Sequence, residues 1–198
     1  MPKPTKAREN PFRSERVAEF RYRIDPERLA GWRRTIRESR TSRLAIVGPE
    51  GTGKTVLLED LAAGFGAGDW IRIHLDDPLA RRIALARKLY GSDPKPLFVD
   101  GLEALPPWLT GCPARLLRPR VVATLHRPRR AFGVLFETSF DAGAVLAMIE
   151  YLKGAPVPPA GRGRILRLAG EHGGNVREVL RQLYREESEG ATAFRTDT

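Results

Sequence analysis

An eight-residue glycine-rich segment, GPEGTGKT at positions 48–55, constrains the fold of this chain more than any other feature. Residues 44–47 immediately before it are all apolar, as in a strand that is buried on both faces. The residues from Lys54 to about Ala63 have the composition of a helix, which ends at a cluster of glycines. A buried strand, a tight loop and a helix in this order predict an α/β domain built on a parallel sheet.

The same alternation continues along the chain. After 44–47, apolar runs bounded by turn residues predict strands over 70–75, 97–99, 121–125 and 133–136. Helical spacing and capping residues predict helices over 26–38, 54–63, 78–90, 141–152, 164–170 and 175–188. We therefore predict an α/β fold of three layers, with a parallel sheet of about five strands and a small C-terminal helical lid.

Stretches rich in glycine and proline divide the chain. The segment KGAPVPPAGRG at 153–163 is the clearest linker. It separates a core over 44–152 from a helical lid over 164–188. The remaining divisions are an N-terminal segment with a helix, 12–43, and two mobile tails, 1–11 and 189–198.

Composition excludes several classes of protein. Apolar residues make up 41% and charged residues 29% of the chain, which is typical of a globular domain and excludes a wholly disordered one. The longest apolar runs fall far short of the ~20 residues of a membrane-spanning helix, and the charged N-terminus predicts no secretory signal. A single cysteine, Cys112, cannot form an internal disulfide. We therefore expect a cytoplasmic protein with no membrane insertion.

The net charge of +10 is concentrated in two stretches. Residues 1–43 carry 13 basic and 6 acidic side chains. Residues 112–135 carry no acid and six arginines, which are Arg115, Arg118, Arg120, Arg127, Arg129 and Arg130. A DNA-binding surface and a solvated basic surface would both have this balance, and no nucleic-acid-binding motif in the sequence decides between them.

The 48–55 segment has the pattern G-x-x-x-x-G-K-[ST], whose residue types suit phosphate groups. Its glycines allow several backbone N–H groups to converge on an anion, and the following helix adds its positive N-terminal end. Lys54 can reach the β- and γ-phosphates, and the Thr55 hydroxyl can ligate Mg²⁺. The expected nucleotide-binding residues are Gly48, Pro49, Glu50, Gly51, Thr52, Gly53, Lys54, Thr55 and Val56.

An acid at the end of a neighbouring apolar strand would complete a metal site. Asp100 follows the apolar residues 97–99 and lies 46 residues after Lys54. Hydroxyl and carboxylate oxygens are ligands that Mg²⁺ prefers. We predict Thr55 and Asp100 as the metal-binding residues, with Asp100 acting through water. A helix cap or turn cap is the alternative for an aspartate in this position.

Together these residues resemble the P-loop NTPases, and the wider pattern is similar to their AAA+/STAND-like side, with ATPases of the general-secretion type as relatives. Three further matches extend over most of the chain. Residues 10–12, Asn-Pro-Phe, resemble a segment that borders the adenine; Thr124 and His126 lie at the position of sensor 1; and Arg177 begins a helix similar to the sensor 2 helix. The resemblance implies ATP and Mg²⁺ as cofactors, Lys54 as a catalytic residue, and Thr124, His126 and Arg177 as residues that read the γ-phosphate.

The sequence departs from the family pattern after Asp100. Such ATPases usually follow this aspartate with a glutamate that polarises the attacking water, whereas here the next residue is Gly101. The nearest acid, Glu103, is a candidate base, and a first-turn acid favoured by the helix dipole is the alternative interpretation. Glu50, inside the loop, is a third candidate. We therefore expect hydrolysis to be slow or to need a partner that completes the site.

A second departure is the short connection at 126–131 between the fourth and fifth predicted strands, where oligomeric relatives place a helix leading to an arginine finger. Arg127, Arg129 or Arg130 would act as a finger only in a head-to-tail homo-oligomer. A solvated basic turn is the alternative.

We predict an ATP-binding protein, a Mg²⁺-dependent ATPase that acts as a switch or motor subunit for a protein or DNA partner. Three alternatives stay open. A small-molecule P-loop kinase would use Asp76 and Asp77 at the end of the second strand, although Asp77 also suits a helix cap before Pro78. The missing glutamate at 101 favours a non-hydrolysing nucleotide sensor, and the arginine clusters favour a nucleotide-dependent DNA-binding module.

Overall fold

The computed structural model describes residues 6–19, 24–39, 43–66, 69–91, 93–106 and 120–189. The strands are Arg43–Val47 (β1), Asp69–Arg72 (β2), Leu97–Asp100 (β3), Val121–Leu125 (β4) and Gly133–Glu137 (β5). The helices are Ser14–Glu19 (α1), Pro26–Glu38 (α2), Lys54–Ala63 (α3), Leu79–Ala86 (α4), Ala142–Lys153 (α5), Pro159–Glu171 (α6) and Val176–Ser188 (α7), with short 3-10 helices at Arg87–Leu89 and Leu102–Ala104. Cys112, Arg115, Arg118 and the tail from 190 lie outside the described residues.

The strands form one parallel sheet in the order β2-β3-β4-β1-β5. This confirms the predicted fold class of a five-stranded parallel α/β sheet with a helical C-terminal part. Because the strands all run the same way, their carboxyl ends meet at one edge of the sheet. The residues that follow β1, β3 and β4 are therefore brought to the same edge.

Strand β2 ends earlier than predicted, at Arg72 rather than at position 75. The cause is a turn closed by Asp77, whose carboxylate accepts a hydrogen bond from the backbone N–H of His74 at 2.8 Å. The same carboxylate lies 3.3 Å from the guanidinium of Arg81. Helix α4 then begins after Pro78 without a side-chain cap, so the prediction that Asp77 caps this helix is wrong.

Apolar side chains cover both faces of the sheet, which explains the unbroken apolar run in the sequence of β1. Alternate residues of β1 enter opposite clusters: Ala45 and Val47 pack on one face, and Leu44 and Ile46 on the other. The first cluster includes residues of α4 and of the 3-10 helix that follows it. The second includes residues of α2 and α3. The sheet and its helices therefore form three layers.

The chain divides into two compact units. The sheet unit comprises Arg23–Gly48 and Gly53–Thr138, and the helical unit comprises Met1–Tyr22, Pro49–Thr52 and Ser139–Thr198. A separate apolar cluster holds the helical unit together and includes Phe12, Ile149 and Leu183. Within the described residues, no helix combines the length and apolar character needed to cross a membrane.

The segment predicted as a linker, 153–163, is partly helical. Helix α5 continues to Lys153 and ends at Gly154, and α6 begins at Pro159. A proline at the first helical position costs no hydrogen bond, because the N–H group it lacks would have no partner there. The connection is therefore residues 154–158, and α5 belongs to the helical unit rather than to the predicted core.

Residues 6–11 are folded into turns, although 1–11 was expected to be a mobile tail. Asn10 is buried, and its side-chain amide donates hydrogen bonds to the carbonyl oxygen of Tyr184 at 2.9 Å and to the hydroxyl of Ser188 at 3.0 Å. Its amide oxygen accepts from the backbone N–H of Phe12 at 3.0 Å. These contacts fix the start of the chain against α7.

Candidate functional site

The glycine-rich loop joins β1 to α3 as predicted. Gly51 and Gly53 both adopt positive φ angles, +76° and +85°, which side-chain-bearing residues rarely adopt. Gly53 is the N-cap of α3, and the Thr52 hydroxyl donates to the carbonyl oxygen of Pro49 at 2.8 Å. Glu50 is exposed at the surface of this loop. The backbone of 48–55 thus turns tightly into the N-terminus of a helix.

Lys54 is the first residue of α3 and is only 8% exposed. Its Nζ donates to the carbonyl oxygen of Gly48 at 2.7 Å, across the loop. A buried ammonium group needs polar partners, and an anionic ligand would supply further ones. Val56 follows in the first turn of α3 and is half-buried.

Asp100 stands at the centre of a polar cluster. The Thr55 hydroxyl lies 3.1 Å from each carboxylate oxygen of Asp100. The hydroxyl of Thr124, on β4, donates to Oδ1 of the same carboxylate at 2.9 Å. The side chain of Asp100 is 14% exposed. Three of the residues predicted for the site are therefore brought together at the carboxyl edge of the sheet.

Arg72 belongs to this cluster and was missed by the sequence analysis. Its Nε donates to Oδ2 of Asp100 at 3.1 Å, and its Nη2 donates to Oε1 of Glu59 at 2.9 Å. Arg72 is directly opposite Asp100 in the register of β2 and β3. The only signal in the sequence was its position near the end of an apolar strand, and the sequence did not show that β2 lies beside β3.

Gly101, which replaces the expected glutamate, is held by its surroundings. Its φ is +78°, and a Cβ built on it would lie 2.1 Å from the carbonyl oxygen of Ile73. Real Cβ contacts essentially never fall below 3.0 Å. The backbone N–H of Gly101 donates to the Thr124 hydroxyl at 3.0 Å. With this backbone, the position has room for glycine and not for glutamate.

Glu103 and His126 form a close pair. Oε1 of Glu103 accepts from the backbone N–H of His126 at 2.9 Å, and Oε2 lies 2.6 Å from Nδ1 of the imidazole. Glu103 lies in the 3-10 helix after β3, and His126 follows β4. Both carboxylate oxygens of Glu103 are thus engaged by a single residue.

Arg177 lies in the helical unit, in the first turn of α7. It is exposed, and its Nη1 lies 3.9 Å from Oε1 of Glu50, which belongs to the same unit. Asn175 caps α7 by accepting from the backbone N–H of Arg177 at 3.1 Å. A Cβ on Gly51 would lie 2.2 Å from Oδ1 of Asn175, so the loop tip packs closely on this cap.

No protein-family model matches this sequence, and no curated protein matches it. Among solved structures, it is similar to the RuvB Holliday junction branch migration motor of Thermotoga maritima, with 15% identity and a TM-score of 0.54, covering 87% of this chain and 61% of that one. It is also similar to NtrX from Brucella abortus in complex with ATP, with 14% identity and a TM-score of 0.53, covering 81% of this chain and 48% of that one. The chain therefore shares the fold of these two proteins. It spans less than two thirds of the length of either neighbour.

Proposed function

We propose that this protein binds ATP with Mg²⁺ and hydrolyses it, and that nucleotide occupancy acts as a switch on a partner. The observation that carries the proposal is the contact between the Thr55 hydroxyl and both carboxylate oxygens of Asp100, at 3.1 Å. It joins the hydroxyl at the end of the glycine-rich loop to the acid at the end of a neighbouring strand.

The phosphate-binding part of the proposal rests on the loop. Backbone N–H groups at the N-terminus of α3 and the ammonium of Lys54 would bind the β- and γ-phosphates. In the structure the ammonium of Lys54 donates to the carbonyl oxygen of Gly48. We expect it to donate to a phosphate oxygen instead when nucleotide binds, because a hydrogen bond between two ionised groups is stronger than one to a neutral carbonyl.

The residues around Asp100 fit a magnesium ion. The cluster offers hydroxyl and carboxylate oxygens, which are hard ligands, and the carboxylate is largely shielded from water. Thr55 would bind the ion directly and Asp100 through a water molecule. When bound, Mg²⁺ would neutralise charge on the β- and γ-phosphate oxygens.

The proposal assigns γ-phosphate contacts to Thr124, His126 and Arg177. Thr124 lies at the carboxyl end of β4 and donates to Asp100, and His126 follows this strand. The Arg177 side chain is exposed, and its Nη1 lies 3.9 Å from Oε1 of Glu50, which is a long distance for an ion pair. Its guanidinium would therefore be available to bind a phosphate group. Residues 164–188 would act as the lid that responds to this contact.

Nucleotide affinity tests the proposal. ATP binding is measured by titration calorimetry with Mg²⁺ for the wild type, Lys54→Ala and the control Lys88→Ala, which removes an exposed lysine outside the loop. We expect Lys54→Ala to lose at least about tenfold in affinity, since a hydrogen bond to a charged group contributes ~1.5–3 kcal/mol. The control should bind like the wild type. A wild-type chain that binds no ATP, or a Lys54→Ala variant that binds equally well, contradicts the proposal.

The geometry at Gly101 favours a second candidate, a nucleotide sensor that does not hydrolyse ATP. No glutamate fits at this position, so the usual base is missing there. Phosphate release by the purified wild type separates the two functions. ATP binding with no release of phosphate over hours favours the sensor function or an ATPase that needs a partner to complete its site, and measurable turnover assigns the ATPase.

The partner in this proposal is a polypeptide or DNA. Arg127 and Arg130 are exposed in the turn between β4 and β5, where they would meet phosphates of DNA or acidic groups of a protein. Binding to duplex DNA is measured between 50 and 200 mM salt. Affinity that falls steeply with salt assigns DNA as the partner, since each phosphate contact releases counterions. Absence of binding at low salt rules out DNA as the partner.

A further inference from the structure

The contacts of Glu103 fix the protonation pattern of His126. An ionised carboxylate can only accept hydrogen bonds, so the Nδ1 atom, 2.6 Å from Oε2, must carry the proton. In the neutral imidazole the other nitrogen, Nε2, then has a free lone pair. Among the described residues, the contacts of His126 involve its backbone N–H and Nδ1, and Nε2 has no hydrogen-bond partner. The His126 side chain is 55% exposed, so this lone pair is accessible.

The pair lies beside the predicted metal site. Glu103 is three residues after Asp100, and His126 is two residues after Thr124. Thr124 is bonded both to the Asp100 carboxylate and to the Gly101 backbone N–H, which ties the two strand ends together. The imidazole is thus anchored at the carboxyl edge of the sheet, where β3 and β4 end.

Glu103 is the less favourable base of the pair. Both of its oxygens already accept from His126, and although each keeps a second lone pair, taking a proton from water would remove the negative charge that strengthens both contacts. Gly101 cannot be replaced by an acid in this backbone. His126 Nε2 is therefore the available proton acceptor within this pair.

We propose that His126 is the general base of the hydrolysis reaction and that Glu103 is its positioning residue. The inference rests on the proposed ATPase function. In the step, Nε2 takes a proton from a water molecule, and the water oxygen forms a bond to the γ-phosphorus. The bond between the γ-phosphorus and the β,γ-bridging oxygen breaks, and its electron pair leaves with ADP. The products are ADP and hydrogen phosphate, and the imidazolium then releases its proton to solvent.

The first test uses the imidazole tautomer and needs no nucleotide. The chain contains three histidines, so ¹⁵N-histidine NMR resolves each ring. We expect His126 in the wild type to carry its proton on Nδ1. In Glu103→Gln the side-chain amide would donate toward Nδ1, and the proton should move to Nε2. A wild-type His126 protonated on Nε2 when neutral overturns the proposal.

The second test measures ATP turnover and ATP affinity in matched variants. In His126→Asn the side-chain amide still donates to Glu103, which keeps the contact and removes the base. We expect kcat to fall about 100-fold, within the range of general-base contributions, and the Kd for ATP to rise by no more than about tenfold, the loss of one γ-phosphate contact. Glu103→Gln should lower kcat in the same direction. His74→Asn, at an exposed histidine beyond β2, is the control and should match the wild type.

The outcomes separate this inference from the proposed function. A His126→Asn variant that turns over within threefold of the wild type assigns the pair a structural role and overturns the inference. Wild-type protein that binds ATP without hydrolysing it also overturns the inference but leaves nucleotide binding intact. Wild-type protein that binds no ATP contradicts the proposed function itself.

Discussion

Replacing Gly101 by alanine should destabilise the sheet unit strongly. A non-glycine residue in the left-handed region costs about 1–2 kcal/mol. At φ +78° the new Cβ would also lie 2.1 Å from the carbonyl oxygen of Ile73. That carbonyl belongs to a backbone segment fixed by the hydrogen bond from Ile73 N–H to the Asp100 carbonyl at 2.9 Å, so it cannot move freely. Overpacking of this kind costs typically 1–3 kcal/mol, which gives about 2–5 kcal/mol in total.

Gly66→Ala is the matched control, because Gly66 has a φ of +71° and nothing within 4 Å of its Cβ position. It should lose only about 1–2 kcal/mol, the cost of the backbone conformation alone. Urea unfolding followed by tryptophan fluorescence measures both variants, since Trp32 and Trp70 lie in the sheet unit. Equal losses for the two variants would refute the argument that the Ile73 carbonyl excludes a side chain at 101.

Three further perturbations follow from the described contacts. Asn175→Ala removes the cap of α7 and should cost about 1 kcal/mol in urea unfolding followed by circular dichroism. Thr124→Val keeps the shape of a buried side chain but leaves the Gly101 N–H without its partner, and it should cost about 1–3 kcal/mol in the same assay. Desolvation lowers the pKa of Lys153 despite the nearby charge of Glu187, so folding is penalised while the unfolded lysine is protonated. Lys153→Met should therefore raise Tm at pH 7, and this gain should shrink as the pH rises from the lowered pKa of the folded protein towards the ordinary lysine pKa of 10.5. An equal gain at pH 7 and at a pH near that ordinary pKa would contradict this assignment.

The sequence predicted the elements whose signals are local. The apolar run before Gly48, the loop and the helix from Lys54 each depend on neighbouring residues, and the structure has them at the expected positions. The pairing of Thr55 with Asp100 could also be expected, because strand ends of a parallel sheet share one edge.

Contacts between strands could not be predicted in the same way. Arg72 meets Asp100 because β2 lies beside β3, and strand order has no local signal. Glu103 contacts His126 for the same reason, because the strands that precede them, β3 and β4, are neighbours in the sheet. The start of α6 was missed for another reason: proline usually marks a linker, yet at the first position of a helix it is favourable.

The discontinuity of the helical unit affects the order in which the protein can fold during synthesis. Asn10 is separated by 178 residues from Ser188, whose hydroxyl it binds. At about 5–20 residues per second, the ribosome needs roughly 10–35 seconds to make the intervening chain. The sheet unit can complete its strands during this interval, whereas Phe12 has no partner from α7 until that helix emerges. This apolar side chain is therefore exposed to chaperones and to other nascent chains until the helical unit is complete.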